Sequence, residues 1–400
     1  MMLLIIDAAL VIASGALLAL SAFLALEVFG AYLRKREAAP ATAPRGPVAV
    51  IVPAHNEADI ISQTLQSVLP QLRDGDRLIV VADNCTDATA SVARAAGAEA
   101  LERHDETRRG KGYALQFALD AIVDTPPHTV LFIDADCHLE DGALELLTAR
   151  AEATARPVQA MYLMNAPETA PPSVLIAEFA WAFINDVRMR GLDRFFGVSR
   201  ITGAGFTLPW AIAEKLSLGA GEIVEDLALT LDLTSMGKPP LIAPDALVTS
   251  TFPTDEEARV RQRARWEHGS RRLAVRRAVP AFFSGLKSGN WALMGLALDI
   301  AIPPIALLVA ATGAMVILSS VVWFLGAGTS APLALAAAVL AAGSIVAGFI
   351  KCADTRQSGR YLEGAKRFLM TKFSVYGADG RKSAQSWTPT RRSESESEGS

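Results

Sequence analysis

Two aspartates one residue apart, Asp134 and Asp136, follow the apolar run Val130-Leu-Phe-Ile133. Acids placed this way at a strand end can hold a hard divalent cation through oxygen ligands, and such a cation can bridge a diphosphate. Taken alone, an Asp-x-Asp pair is more often a solvated turn. Asp83 ends a second apolar run, where it can cap the following helix or meet a ligand. A third run leads into Pro53-Ala-His-Asn-Glu57. Lys111 stands between two glycines behind the charged stretch Asp105-Glu-Thr-Arg-Arg109. Such a loop is ordinarily just solvated, yet the glycines let the backbone turn closely and the lysine offers a point charge. Glu225-Asp226 opens an apolar-periodic stretch, a helix start that favours acids whether or not they do chemistry. In Gln262-Arg-Ala-Arg-Trp266, Gln262 and Trp266 share one helical face, and Arg265 offers the planar fork that holds oxyanions.

These residues need a scaffold, and the pattern from Val48 to Asp134 supplies one. Short apolar strands are expected at Val48 to Pro53, Leu78 to Ala82, Ala98 to Arg103 and Thr129 to Asp134. Helical periodicity separates them at Ile60 to Leu72, Ala88 to Ala96 and Lys111 to Val123. Strand-helix alternation indicates an α/β fold, a mainly parallel sheet flanked by helices with ligands at the carboxyl ends of the strands. The acidic motifs fall at those ends. No Gly-x-Gly-x-x-Gly follows the first strand and no Gly-x-x-x-x-Gly-Lys-Ser/Thr loop occurs, so neither a dinucleotide-binding Rossmann site nor a P-loop is supported.

The ends of the chain differ from its middle. Hydrophobic residues make up 51% of the 400 and charged ones 20%, and the apolar excess is terminal. Residues 1–33 form one transmembrane candidate, uncharged from Leu10 to Leu26 and followed by Arg34-Lys-Arg36. After a linker at 34–47 and a domain at 48–272, residues 273–304 read as interfacial helices interrupted by Pro303-Pro304, and 305–350 as a transmembrane hairpin. A basic segment at 351–382 and a Ser/Glu-rich tail at 383–400, expected to be disordered, complete the chain. The positive-inside rule puts the basic flanks and the middle domain in the cytoplasm of a multi-pass inner-membrane protein. The stretch Val174 to Phe196 fits either an amphipathic interfacial helix or ordinary core packing. A net charge of -4 without an aromatic-basic array gives no reason to expect nucleic acid. The cysteines, Cys85, Cys137 and Cys352, are too scattered for a zinc or redox motif and read as reduced thiols.

Taken in order, Pro53-Ala-His-Asn-Glu57, Asp83-Asn-Cys-Thr-Asp87, Gly110-Lys-Gly112, Asp134-Ala-Asp136, Thr202-Gly-Ala-Gly205, Glu225-Asp226 and Gln262-Arg-Ala-Arg-Trp266 resemble the inverting family-two glycosyltransferases of GT-A fold. The likeness is to their membrane-bound branch, which includes cellulose, chitin and hyaluronan synthases. The resemblance implies a nucleotide-sugar donor, a UDP-sugar, and Mg²⁺ or Mn²⁺ held by Asp136. It implies donor contacts from Pro53, Glu57, Asp83, Lys111, Asp134 and Arg265, acceptor contacts from Gly203, Gly205, Glu225, Gln262 and Trp266, and Asp226 as general base. Val224 stands where some relatives have Thr, which affects local hydrogen bonding alone. The expected activity is sugar transfer to a lipid-linked or polysaccharide acceptor at the cytoplasmic membrane face. Its rivals are a processive synthase coupled to secretion and an inactive nucleotide-binding scaffold. Three largely apolar spans do not readily enclose a polar path, so a monomer is expected to add one sugar or a few. Export then falls to a partner, unless a homo-oligomer supplies the missing helices.

Overall fold

The computed structural model describes residues 1–33, 45–167, 170–219, 225–253, 259, 269, 273–353, 359–361, 363 and 364. Strand β1 (Val48–Ala54) shows why a sheet forms here. Val48, Val50, Val52 and Ala54 point into one apolar core while Ala49 and Ile51 point into another. With both faces covered, the strand is a continuous apolar run rather than an alternating one. Helix α2 (Ile61–Val68) covers the first face through Ile61, Leu65 and Val68. Strand β2 (Arg77–Asp83), helix α3 (Thr89–Ala95) and strand β3 (Glu99–Arg103) follow. Helix α4 (Lys111–Ala121) lays Ala114, Leu115, Ala118 and Leu119 on the second face before strand β4 (Thr129–Phe132).

Beyond β4 come strand β5 (His138–Leu139), helix α5 (Ala143–Thr154), strand β6 (Val158–Asn165), helix α6 (Pro172–Ala182), a π-helical turn at Phe183–Arg188 and helix α7 (Met189–Phe196). Strand β7 (Phe206–Pro209), helix α8 (Trp210–Ala213), helix α9 (Glu225–Ser235) and strand β8 (Leu241–Thr251) complete this part. The sheet order is β3-β2-β1-β4-β7-β6-β8-β5. The four strands from β3 to β4 are parallel, as the alternation predicts. The sheet as a whole is mixed: β7 runs antiparallel to both β4 and β6, and β5 antiparallel to β8. The βα repeat stops at β4, so nothing downstream of Asp134 forces a parallel crossover.

Three helices are long and apolar enough to cross a membrane: α1 (Met2–Tyr32), α12 (Ile305–Phe324) and α13 (Ala331–Cys352), the latter two following α10 (Val279–Ser288) and α11 (Trp291–Ala301). They are not a separate bundle. Leu175, Phe179, Phe183 and Val187 of the segment with two sequence readings are buried, and they join residues of α1, α9, α11, α12 and α13 in one core. Phe183 lies so close to Gly348 that a methyl group there would meet its ring at 2.0 Å. Core packing, rather than an interfacial face, is therefore the outcome for this segment. Helices α1 and α7 cross at two glycines: a side chain on Gly30 would strike the Gly191 Cα at 2.8 Å, and one on Gly191 the Glu27 carbonyl at 1.8 Å. Near the other end of α1, Asp7 accepts hydrogen bonds from the backbone and hydroxyls of Thr329 and Ser330, at the start of α13.

Candidate active site

At the carboxyl ends of β1 and β2, Asn56 and Asn84 take the left-handed conformation, with φ of 56° and 53°. Asparagine tolerates this better than other residues with a side chain. The two turns are laced together. Asn56 Oδ1 accepts from Thr86 N at 2.7 Å, Glu57 N donates to Thr89 Oγ1 at 2.9 Å, Ala58 N donates to Asp87 Oδ2 at 3.1 Å, and His55 Nδ1 meets the Asp83 carbonyl at 2.7 Å. Pro53 lies within β1, in register with Val81. Asp83 is buried. Its Oδ1 takes hydrogen bonds from Arg103 Nη1 at 2.6 Å and Asn84 Nδ2 at 3.0 Å, leaving Oδ2 without a partner among the described residues. Arg103 also binds Asp105 and the Arg108 carbonyl, fixing the charged loop ahead of Lys111.

Past β4 the chain turns through Asp134, Ala135 and Asp136. Ala135 is buried, and its carbonyl accepts from Thr64 Oγ1 at 2.7 Å, so the turn is clamped in its middle while both flanking carboxylates stay partly exposed. Lys111 Nζ makes an ion pair with Asp134 and donates to the Gly203 carbonyl at 2.7 Å. Burial works against its ammonium, but Asp134 outweighs this and its pKa is raised. Ser250 Oγ lies 3.3 Å from Asp136 Oδ2, and Cys137 Sγ lies 3.6 Å from Oδ1. Ligand atoms of Asp134, Asp136 and Cys137 all fall within 4.8 Å of one another. Burial pushes the Cys137 thiol up to about 12, and Asp134 and Asp136 supply partly exposed carboxylate oxygens. Such oxygens fit a hard divalent cation.

The other wall of the crevice is the 202–205 turn and the start of α9. Gly203, at φ +89°, needs a conformation that side chains rarely adopt, and a methyl group on it would lie 3.7 Å from both Asp226 Oδ2 and Lys111 Nζ. Gly205 is different. A methyl group there would meet Val248 at 2.7 Å and Ala160 at 3.1 Å, and its backbone bonds to Phe132 and Ala160, so it serves the packing of the sheet. Asp226 Oδ1 accepts from its neighbour Leu227 N at 2.9 Å. Burial raises its pKa against the opposing pulls of that N–H and of Lys111.

Asp83, Lys111, Asp134, Asp136, Gly203 and Asp226 thus line the carboxyl ends of the strands and the turn facing them. Glu225 begins α9. Gln262, Arg265 and Trp266 lie outside the described residues. Several contributors were not singled out by the sequence. Gln159, fully buried in β6, holds the 202–205 turn by accepting from Thr202 N at 3.0 Å and donating to the Ala204 carbonyl at 2.8 Å. A lone amide in an apolar strand was its available signal. Arg103, at the end of β3, could have been paired with Asp83 by their matching strand ends. Ser250 carries no local signal.

Residues 44–269, over half of the chain, match the family model described as glycosyltransferase like family 2. Among curated proteins the chain is similar to the probable glycosyltransferase YdaM of Bacillus subtilis (strain 168), 26% identical over 248 residues that span 57% of this chain and 56% of that protein. It is also similar to the glycosyltransferase AglD of Haloferax volcanii, 34% identical over 126 residues, 29% of this chain and 19% of that one. The match thus spans little more than half the length of the first relative and less of the second. Among solved structures, the mannosyltransferase PcManGT of Pyrobaculum calidifontis, in complex with GDP-Man and Mn²⁺, superposes with a TM-score of 0.52 at 19% identity over 86% of this chain and 98% of its own. That likeness is one of fold, a GT-A type α/β sheet flanked by helices. With the family model covering the whole mixed sheet and its strand-end acids, the chain belongs to glycosyltransferase family 2.

Proposed function

We propose that this protein transfers a sugar, with inversion, from a nucleotide-sugar donor to a lipid-linked or polysaccharide acceptor at the cytoplasmic face of a membrane. The observation that carries this reading is the convergence at Gly203. Lys111 there bridges Asp134 and the Gly203 carbonyl while Asp226 lies beside the same glycine. Donor and acceptor chemistry would thus meet across one residue.

Asp83 offers its Oδ2, unpartnered among the described residues, to the nucleobase of a UDP-sugar, and Glu57 and Pro53 flank the nucleoside. Asp136, with Asp134 beside it, would hold Mg²⁺ or Mn²⁺, which draws electron density from the diphosphate leaving group. Lys111, and Arg265 by resemblance, neutralise charge as the nucleoside diphosphate departs. Asp226 takes the proton of the acceptor hydroxyl while its oxygen bonds to the anomeric carbon opposite the breaking sugar–phosphate bond. Positioning and electrostatics supply the rate, and no sugar–enzyme intermediate is needed. GDP-Man in the similar archaeal structure makes a guanosine donor the alternative to test.

Helices α1, α12 and α13 support a membrane location. So do Val275, Val279, Phe283 and Leu286, exposed apolar residues in and before α10 that suit an interfacial helix. The test uses full-length protein in lipid nanodiscs with a panel of nucleotide sugars, scored by nucleotide release and by product mass. Activity with one donor should vanish in chelator, return with Mg²⁺ or Mn²⁺, and fall about a hundredfold or more in Asp136→Ala, with products of one or a few sugars. Full turnover in excess chelator would remove the metal from the reading, and long polymer would favour a processive synthase.

A further inference from the structure

Four charged side chains meet where the membrane helices join the catalytic domain. Arg188 Nε donates to Glu27 Oε2 of α1 at 2.7 Å, and its Nη2 donates to Asp299 Oδ1 of α11 at 2.6 Å. Arg200 binds the other oxygen of the same Asp299 and donates to its carbonyl at 3.2 Å. Glu27, Arg188 and Asp299 are almost wholly buried, and Arg200 is partly exposed. Burying ionised side chains costs several kcal/mol each before their attraction offsets it, so a well-packed apolar cluster would often hold the seam as firmly. Stability alone is a weak reason for these residues. What paired charges add is a fixed geometry.

The geometry they fix leads to the active site. One peptide beyond Arg200, Ile201 N donates to Thr230 Oγ1 at 2.9 Å, and Thr230 Oγ1 donates to the Asp226 carbonyl at 2.8 Å. From Asp299, one ion pair, one peptide link and two hydrogen bonds reach the backbone of Asp226. The same stretch of chain continues into Thr202 and Gly203, whose carbonyl receives Lys111. None of these links passes through Asp83, Asp136 or the laced turns after β1 and β2.

We propose that Arg200, gripped by Asp299 and through Arg188 by Glu27 of the membrane helix, is a positioning residue that sets Asp226 and the 202–205 turn for transfer. Thr230 is the relay. This proposal rests on the glycosyl-transfer reading above. It makes the anchored helices part of the acceptor side of the catalytic site, while donor binding is left to the parallel half of the sheet.

The test is full-length protein in nanodiscs of bacterial polar lipids. UDP-glucose and GDP-mannose with Mn²⁺ serve as donors, lipid and water as acceptors, and released nucleotide is measured. In Arg200→Gln the donor KM should stay within about twofold while kcat falls at least tenfold, and Arg200→Lys, which keeps a charge for Asp299, should recover part of that loss. Thr230→Val should show the same split without altering any charge, and it carries the test if Arg200→Gln does not fold. Unchanged kcat in a folded Arg200→Gln or in Thr230→Val, or a donor KM that worsens as much as kcat, would overturn the positioning role. A wild type that releases nucleotide from neither donor would instead take down the glycosyl-transfer reading and this proposal with it.

Discussion

The two walls of the crevice are built by different means. At the turns after β1 and β2, on the wall proposed for the donor, the links join residues 20 to 32 apart: Asp83 to Arg103, Ala58 to Asp87, Asn56 to Thr86 and Glu57 to Thr89. Each is the product of one βα unit meeting the next, so these turns close as soon as the parallel sheet forms. Behind the wall proposed for the acceptor, longer ties span 161, 111 and 99 residues, from Arg188 to Glu27 and Asp299 and from Arg200 to Asp299. That wall is complete when both ends of the chain have docked on the middle. The helices at the ends, long and apolar enough to cross a membrane, are thus also structural members of the domain that carries the candidate site.

If the division is real, the largest effect should come from the acceptor wall and spare the donor wall. Asp226→Asn keeps the shape of the side chain but cannot take a proton, so kcat should drop about 10²–10⁴-fold while donor affinity, measured by nucleotide-sugar titration, holds within about twofold. A variant with near-normal turnover would strike Asp226 from the mechanism.

The same division explains how much could be read from the sequence. The donor wall was legible because its acids stand at the ends of apolar runs, where a parallel sheet places ligands, so Asp83, Asp134 and Asp136 could be named from pattern. Strand boundaries there moved by one or two residues. The mixed half of the sheet was not legible, since β7 and β5 are short strands of four and two residues that leave little periodicity. Glu27, Arg188 and Asp299 were equally opaque, being single charges in apolar or amphipathic segments whose partners are distant in the chain. Asp299 lies in the segment expected to be interfacial, and Arg188 and Arg200 account for its charge there.

A second way to sharpen the comparison is to pry the walls apart. Gly191→Ala forces a methyl group against the Glu27 carbonyl, 1.8 Å away, so α1 must move off α7. Overpacking of this kind costs about 1–3 kcal/mol. The thermal midpoint in detergent should fall and transfer should weaken, while donor titration changes little. A loss confined to donor affinity would contradict the division.

A third, smaller effect belongs to the parallel half of the sheet. Asp76 pairs with Arg45 at 2.6 Å, both side chains being buried. Burial alone would raise the Asp76 carboxyl, but the guanidinium and the N–H groups of Arg73 and Val48 more than offset it and hold its pKa below the ordinary value. A folded-state pKa below the unfolded one, about 3.9, gives stability that is present above that pH and lost as pH falls through the folded value. The thermal midpoint should therefore decline as pH is lowered from 5 to 3, and Asp76→Asn should flatten part of that decline. An identical slope in the variant would mean that other carboxylates carry the whole of it.

The smallest expected effect tests whether α1 is uniform along its length. Gly15 and Gly30 lie in the same helix, yet a side chain at Gly15 would meet nothing within 4 Å, whereas one at Gly30 would meet the Gly191 Cα and the Phe195 ring, both at 2.8 Å. If α1 were only an anchor, alanine at either position would act alike, since each replaces a glycine in an apolar helix. If the end of α1 that carries Gly30 is a wall of the catalytic domain, Gly15→Ala should leave stability within about 0.5 kcal/mol and turnover unchanged. Gly30→Ala should then lower both, because Phe195 can swing aside but the Gly191 backbone cannot. Thermal midpoints and nucleotide-release rates of the two variants, measured side by side, decide the matter. Equal effects at the two positions would reduce α1 to a tether and leave the long-range ties without mechanical consequence.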